Sequence, residues 1–188
     1  KIIKKKKLEL TKSKFILIRQ DPPFNLEYIS TTYILDSIKT KVKIVNNPSS
    51  IRNISEKLYS VYFSKFMPDT IFSQNINYIK KFFLKNKKII MKPIHGYGGN
   101  EIHLIEKKFN KILDEKFIKK HGHVMFQKFL ANIKRGDKRV FLINGKVCGA
   151  ISRVPKKGSF LSNMSKGAVP ALTKLTKKEI KISKLIAD

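Results

Sequence analysis

The sequence of 188 residues is poor in cysteine, in acidic side chains and in long apolar runs. Its single cysteine, Cys148, excludes a disulfide scaffold and a cysteine-based zinc site, and it fits a reducing compartment. The longest apolar runs, such as residues 15–18, are far too short to cross a bilayer. The lysine-rich start leads into no sustained apolar stretch and no small-residue cleavage site, so we expect no signal peptide, no membrane partner and a cytoplasmic protein.

Positive charge is what the sequence has in excess: 41 Lys and Arg against 13 Asp and Glu give a formal charge of +28. A basic surface suggests a polyanionic partner, because binding releases counterions from phosphates. The charge comes from 36 Lys and only 5 Arg, however, and Arg is the residue suited to bidentate contacts with phosphates and base edges. The lysines are also spread along the whole chain, as codon bias in an AT-rich genome would produce. We expect no specific nucleic-acid partner, with a basic nucleic-acid-binding module as the alternative from another class.

The first part of the chain, up to about residue 50, predicts a parallel α/β layer. With 41% hydrophobic and 10% aromatic residues, the chain can bury a core. A buried strand at residues 14–19 and a helix at residues 26–36 are followed by a strand at residues 42–45. Asn47 then caps a helix, with Pro48 in its first turn, that runs through Tyr62. This alternation is typical of an α/β layer with a parallel sheet.

The remainder predicts an antiparallel α+β fold, so the fold class is α/β (α+β). Helices are expected at residues 76–84 and 109–118, and strands at residues 70–72, 88–92, 102–105, 124–130, 138–143 and 146–151. Asn144 and Gly145 between the last two strands are the strongest short-range hairpin signal that a sequence carries. Cys148, in the second strand of this hairpin, is expected to be a small buried hydrophobe.

A glycine loop is the most informative segment. The strand at residues 88–92 delivers Lys92 directly into Gly96, Gly98 and Gly99. Glycines let the backbone approach a ligand closely, so that consecutive N–H groups can point at a phosphate, and a lysine supplies charge for the same oxygens. From these residues alone, a plain hairpin between two strands is an equal alternative. The loop fits neither the P-loop nor the dinucleotide fingerprint.

Read together, three segments resemble the bacterial glutathione synthetases, within the ATP-grasp superfamily. The segments are Asp21-Pro22-Pro23-Phe24, the loop after Lys92, and Gly136-Asp137-Lys138-Arg139-Val140. The resemblance runs from about Phe15 to the C-terminus. It implies that residues 51–188 form an ATP-grasp domain, incomplete at its C-terminal end. Residues 1–50 would be the C-terminal part of a truncated parallel α/β domain that precedes it.

The resemblance also implies an activity. This is the ATP-dependent ligation of γ-glutamylcysteine to glycine through an acyl phosphate, which gives glutathione, ADP and phosphate. ATP and Mg²⁺ would be the cofactors, and the protein would be a homo-oligomer, a tetramer. Another ATP-grasp carboxylate–amine ligase, of the D-alanine ligase or glutamate ligase type, is the alternative within the fold. The Asp-Pro-Pro-Phe segment speaks against that alternative.

The resemblance assigns a set of ATP-binding residues: Lys57, Lys92, Gly96, Gly98, Gly99, Gln127, Lys128, Phe129, Leu130 and Asp137. The two lysines would bind the phosphates and the glycine loop would cover them. Residues 127–130 would read adenine through the backbone of a strand edge, and Asp137 would lie near the ribose. Without the resemblance, Lys57 is a solvated lysine, residues 127–130 are plain core, and Asp137 is a turn former.

Three of the five arginines fall on positions that the resemblance assigns to a substrate carboxylate or the transferring phosphate: Arg19, Arg139 and Arg153. A guanidinium meets such groups with two parallel hydrogen bonds. We expect the last two to be catalytic, and the first to bind substrate together with Asn163. Residues 155–168 resemble the mobile loop that covers the site, with a plain surface loop as the alternative. Arg52 and Arg135 are expected to be surface charges.

Two departures from the family pattern affect these expectations. The family's magnesium ligands, a Glu and an Asn, would lie beyond Asp188, so no metal ligand is expected in these residues. The start also lacks the first part of the usual N-terminal domain. We therefore expect a fragment that, alone, binds nucleotide poorly and is inactive. In the covering loop, Leu161 stands where the family often has Arg, which weakens the case for substrate contacts there.

Overall fold

Contacts within the chain divide it into two units, Lys1–Val61 and Tyr62–Asp188. The computed structural model describes residues 4 and 6–187, and the side chains of all of these except residues 111–114. In this described part, no helix is both long enough and apolar enough to cross a membrane.

The first unit contains a two-stranded parallel sheet with two helices. Its elements in chain order are β1 (Phe15–Leu17), α1 (Leu26–Ser37), β2 (Lys43–Val45) and α2 (Pro48–Asn53). Each helix begins at an asparagine, Asn25 or Asn47, whose side-chain oxygen accepts backbone N–H groups of the first turn. The predicted alternation, the parallel pairing and the Asn47 cap are confirmed.

Two expectations for this unit are wrong. Strand β1 is not buried, because a two-stranded sheet has little surface to cover it: Phe15 is 58% and Leu17 56% exposed. Helix α2 does not run to Tyr62. The backbone leaves the helical region at Ile54 (φ −97°, ψ 76°), and a 3₁₀ helix follows at Tyr59–Phe66. Serine and asparagine side chains around this point compete for backbone hydrogen bonds and weaken a continuous helix.

Arg52 is also not the surface charge that the sequence suggested. Its side chain is only 13% exposed, and Nη2 donates to Asp36 Oδ2 at 2.7 Å. The guanidinium carbon lies 4.0 Å from the centre of the Tyr33 ring, a cation–π contact. The hydrogen bond from Arg52, followed by that from Lys39, lowers the pKa of Asp36 below its usual value. Arg52 therefore links α2 to α1. Arg135, in contrast, is exposed as expected.

The second unit contains a four-stranded antiparallel sheet with the spatial order β3, β6, β4, β5. Its elements in chain order are β3 (Thr70–Ser73), α3 (Ile76–Asn86), β4 (Ile89–Pro93), β5 (His103–Ile105), α4 (Lys111–His121) and β6 (Val124–Lys128). All six elements were predicted from the hydrophobic pattern. Most ends differ from the predicted bounds by one to three residues, and β6 stops at Lys128 and not at Leu130.

The core of this unit lies between the four-stranded sheet and α3. Successive side chains of a strand point to opposite faces. One face carries the sheet residues of the core cluster, which are Ile89, Met91, Ile105, Val124 and Phe126. They pack against Ile79, Phe82 and Phe83 from α3. The alternate positions Ile90, Lys92 and Gln127 therefore point to the other face of the sheet, where the candidate site lies.

A three-stranded antiparallel sheet completes this unit, in the order β7, β8, β9. The strands are β7 (Asp137–Ile143), β8 (Lys146–Val154) and β9 (Val169–Leu172), and helix α5 (Lys177–Ala187) follows them. Asn144 (φ 48°) and Gly145 (φ 70°) form the tight turn between β7 and β8 in the left-handed region, which confirms the predicted hairpin. Cys148 is exposed, so its expected burial is wrong.

Candidate functional site

The candidate site is a cleft of about 190 Å³ in the second unit. Its walls are the face of the four-stranded sheet opposite the core cluster, the segment after β6, the start of β7 and the loop after β8. The lining residues are Ile90, Lys92, Ile102, Gln127, Lys128, Phe129, Leu130, Ile133, Asp137, Phe160, Leu161, Ser162 and Asn163. Seven of the sequence-predicted site residues are therefore brought together here: Lys92, Gln127, Lys128, Phe129, Leu130, Asp137 and Asn163.

Lys92 enters the cleft from strand β4, between residues that face the core. Its ammonium Nζ donates to Oε1 of Gln127 at 2.8 Å. The amide Nε2 of Gln127 donates in turn to Oγ1 of Thr70 at 2.9 Å. The hydrogen bond to Gln127 thus holds the cation at the sheet surface, where it lines the cleft.

The glycine loop after Lys92 packs closely against the loop after β8. Gly98 and Gly99 have φ of 62° and 76°, and a Cβ atom on Gly99 would lie 2.6 Å from Oδ1 of Asn163. Ser165 Oγ donates to the carbonyl of Gly98 at 3.2 Å. The predicted loop is therefore a turn that meets a second segment, and a side chain at Gly99 would push this segment away. Gly96, in the same loop, donates its N–H to the carbonyl of Pro93 at 3.2 Å.

The loop at residues 155–168 contributes Asn163 and a second polar residue that the sequence reasoning missed. Ser162 is only 6% exposed and lines the cleft. Within the described residues, its hydroxyl oxygen is buried without a hydrogen-bond partner. A buried hydroxyl normally has a partner, so this one is suited to a polar group of a ligand. No sequence signal distinguishes it from the other serines of this loop.

The segment that leaves β6 lines another wall with the predicted residues 127–130. Strand β6 is an inner strand of the sheet, and not the expected edge. The N–H of Lys128 donates to the carbonyl of Asp69 at 2.8 Å, and that of Phe129 to the carbonyl of Lys88 at 3.0 Å. These two donors are used within the protein. The exposed Leu130 and the rings of Phe129 and Phe160, 6.3 Å apart, give the cleft an apolar end.

Asp137 and Arg153 form a bidentate ion pair across β7 and β8, where they are direct partners. Arg153 Nε donates to Oδ1 at 2.8 Å, and Nη2 donates to Oδ2 at 2.6 Å. Arg139 lies two residues after Asp137 on the same strand, so its exposed side chain is on the same face of the sheet. Two predicted arginines therefore share the sheet face from which Asp137 reaches the cleft.

The other two predicted residues belong to the first unit. Arg19 is exposed just beyond the end of β1. The side chain of Lys57 is only 12% exposed, and its Nζ lies 3.9 Å from Oε1 of Glu56. Lys57 is therefore not the solvated lysine that it would be by default.

A metal ion would need several donor side chains close together. Among the described residues, no three His, Cys, Asp or Glu side chains are close enough to hold a metal ion together. Asp137, the acidic residue of the cleft, is already bound to Arg153.

Solved structures show the fold that the chain shares with known proteins. Over 96% of this chain and 66% of its own length, D-cycloserine synthetase DcsG superposes with a TM-score of 0.68 at 10% identity. The ATP-grasp ligase PsnB, in a complex with Mg and ADP, gives 0.63 at 17% identity over 84% of this chain and 50% of its own. The second unit, with its two antiparallel sheets and the cleft, therefore has the ATP-grasp fold.

Sequence comparisons then specify the family. Residues 56–188 match the ATP-grasp domain of prokaryotic glutathione synthetase, and residues 1–52 match the N-terminal domain of the same family. The chain belongs to the prokaryotic glutathione synthetase family. It is 38% identical over 170 residues to the glutathione synthetase of Bradyrhizobium diazoefficiens, covering 89% of this chain and 54% of that protein. It is 34% identical over 192 residues to that of Buchnera aphidicola subsp. Schizaphis graminum, covering 100% of this chain and 60% of the relative. The chain thus spans between half and two thirds of these curated relatives.

Proposed function

We propose that this chain is part of a glutathione synthetase, which uses ATP to join γ-glutamylcysteine to glycine. The observation that carries the proposal is the cleft itself. In a chain of this family, it combines the Lys92 cation with an apolar end and with Asp137, which pairs with Arg153. The glycine loop packs against Asn163, which lines the cleft. The activity is a proposal because the chain covers only part of its relatives.

The nucleotide would lie along the cleft. Phe129, Leu130 and the carbonyl groups of residues 127–130 would hold the adenine at the apolar end, and Asp137 would face the ribose. Lys92 and Lys57 would bind the phosphates, under the loop of Gly96, Gly98 and Gly99. The partial burial of Lys57 and the close packing at Gly99 support these roles.

The arginines and Asn163 would bind the second substrate and the transferring phosphate. Arg153 donates two hydrogen bonds to the carboxylate of Asp137. While it keeps this pair, its guanidinium would add positive charge for the substrate carboxylate or the transferring phosphate. Arg139 would act beside it, and Arg19 would bind the substrate.

The reaction would proceed in two steps. The carboxylate of γ-glutamylcysteine attacks the γ-phosphorus of ATP, which forms an acyl phosphate and releases ADP. The amine of glycine then attacks the acyl carbon, so that the peptide bond forms and phosphate leaves. These cationic side chains would neutralise the spreading negative charge. The loop at residues 155–168 would keep water from the acyl phosphate. Magnesium would add charge neutralisation at the phosphates.

The remaining expectations stay proposals of the same kind. Residues 1–50 would belong to the domain that precedes the ATP-grasp domain, and residues 51–188 to the ATP-grasp domain. The protein would act in the cytoplasm on small-molecule substrates, as a homo-oligomer.

The experiment is phosphate release from ATP by the product of the complete gene, purified and supplied with magnesium. We expect release only when γ-glutamylcysteine and glycine are both present, with one glutathione formed per phosphate. Release that is stimulated by D-alanine and not by γ-glutamylcysteine with glycine would refute the proposal in favour of a D-alanine ligase. ATP with each substrate alone is the control for uncoupled hydrolysis.

A further inference from the structure

Three adjacent strands carry an uninterrupted line of hydrogen-bonded side chains that ends at Lys92. Thr70 on β3 is the direct partner of Gln127 on β6, and Gln127 is the direct partner of Ile90 on β4. Lys92 lies two residues beyond Ile90, so all three polar side chains point to the same face of the sheet. The bonds are 2.9 Å from Gln127 to Thr70 and 2.8 Å from Lys92 to Gln127.

Thr70, at the end of the line away from Lys92, determines which group donates and which accepts in each hydrogen bond. The hydroxyl of Thr70 donates its only proton to the carbonyl of Pro68 at 2.7 Å, so Oγ1 can only accept from Gln127. The amide of Gln127 must then turn its NH₂ group toward Thr70 and its oxygen toward Lys92. An ammonium group has no acceptor, so this orientation is the one that lets Gln127 bind Lys92.

We propose that Thr70 and Gln127 are positioning residues, which hold the ammonium of Lys92 where the phosphates of the nucleotide bind. The inference rests on the proposed function, since it requires Lys92 to bind phosphate. A lysine side chain has four rotatable bonds and loses rotamer freedom when it is fixed by a ligand. Fixing it beforehand lowers this loss on binding.

The chemistry of Gln127 suits this role better than a carboxylate would. An amide oxygen accepts one N–H and leaves the positive charge of the ammonium undiminished for the phosphates. A glutamate at this position would form an ion pair with Lys92 and offset its attraction for an anion. The position therefore calls for a neutral acceptor whose orientation a second residue has to fix.

The test measures the affinity for ATP and for adenosine, by competition with a fluorescent ATP analogue, on the product of the complete gene. Adenosine lacks the phosphates, so its affinity reports on the rest of the site. We expect Thr70→Val to weaken ATP roughly 3- to 10-fold, the range for one lost hydrogen bond, and to leave adenosine unchanged. Gln127→Glu is expected to weaken ATP more than this. Thr70→Ser keeps the hydroxyl and is expected to bind ATP as the wild type does.

Thr31→Val is the matched control, because the hydroxyl of Thr31 donates to a backbone carbonyl on an exposed face of α1, at 3.0 Å from Glu27. It should change neither affinity. If Lys92→Ala weakens ATP while Thr70→Val and Gln127→Glu bind it as the wild type does, the inference is overturned and the proposed function stands. An equal loss of ATP and adenosine in Thr70→Val would show a merely structural role and would also overturn it. If the wild type binds ATP no better than adenosine, the proposed function itself fails.

Discussion

The two sheets of the second unit are built in different ways. In the four-stranded sheet, the inner strands β4 and β6 are almost entirely buried, and Ile89, Val124 and Phe126 have no exposed surface. The three-stranded sheet is largely exposed, and Leu172 on β9 is 93% exposed. Its polar contacts include the pair of Arg153 with Asp137 within the sheet and that of Lys138 with Glu179 of α5.

This difference matters for the cleft, to which both sheets contribute. The packed sheet supplies Lys92 and Gln127, whose backbone is fixed by the core on the opposite face. The exposed sheet supplies Asp137, whose position depends on its ion pair with Arg153. We infer that the phosphate side of the proposed site depends on apolar packing, and that the substrate side depends on charge.

The largest expected effect comes from truncating the core of the packed sheet. Phe126→Ala removes a fully buried ring from the cluster with Ile79 and Phe83, so we expect it to destabilise the protein by about 3–5 kcal/mol. Leu172→Ala, on the exposed sheet, is the control and should change stability by no more than about 0.5 kcal/mol. Urea denaturation measures both. Equal losses would contradict the difference between the two sheets.

A smaller effect is expected from breaking the ion pair of the exposed sheet. Asp137→Asn leaves the partly buried guanidinium of Arg153 with a neutral acceptor, which should cost about 1–3 kcal/mol. A double-mutant cycle with Arg153→Gln isolates the interaction. The two residues are direct partners, so their effects should be non-additive by at least about 0.5 kcal/mol. Additive losses would mean that packing, and not charge, holds this side of the cleft.

Much of this architecture was predictable because the signals are local. Lys92 stands next to its glycine loop in the sequence, and Asn144 with Gly145 form a turn by their own conformational preference. The strands of the packed sheet are short apolar runs that can be recognised singly. The hairpin register then places Asp137 opposite Arg153, although the sequence interpretation had given these residues separate roles.

Contacts set by strand pairing over long separations were not predictable. Gln127 and Thr70 are 57 positions apart, and only the order of the strands makes them neighbours. The burial of Ser162 and the pairing of Arg52 with Asp36 likewise depend on how distant segments pack. The exposure of Cys148 was missed for the same reason, since nothing in the sequence shows which face of a strand lacks a covering element.

The smallest expected effect is a pH dependence at Glu179, on helix α5 beside the exposed sheet. Thr176 and Glu179 form a capping box: the N–H of Thr176 donates to the carboxylate at 2.7 Å, and that of Glu179 donates to the threonine hydroxyl at 3.2 Å. Lys138 of β7 adds a hydrogen bond at 2.9 Å. The backbone N–H of Thr176 and then Lys138 lower the pKa of Glu179 from 4.5 to about 2.

Because this pKa is lower in the folded state, the carboxylate stabilises the protein fully above about pH 4.5 and loses that contribution as the pH falls toward 2. The stability difference between the wild type and Glu179→Gln, measured by urea denaturation between pH 7 and the lowest pH at which the wild type still folds, should therefore shrink on acidification. The deficit of Phe126→Ala has no titrating group behind it and should stay constant over the same range. If both differences followed pH equally, the contrast between a sheet stabilised by packing and one held by polar contacts would be wrong. If only the Glu179→Gln difference changes with pH, the charge of Glu179 helps to hold α5 against the exposed sheet.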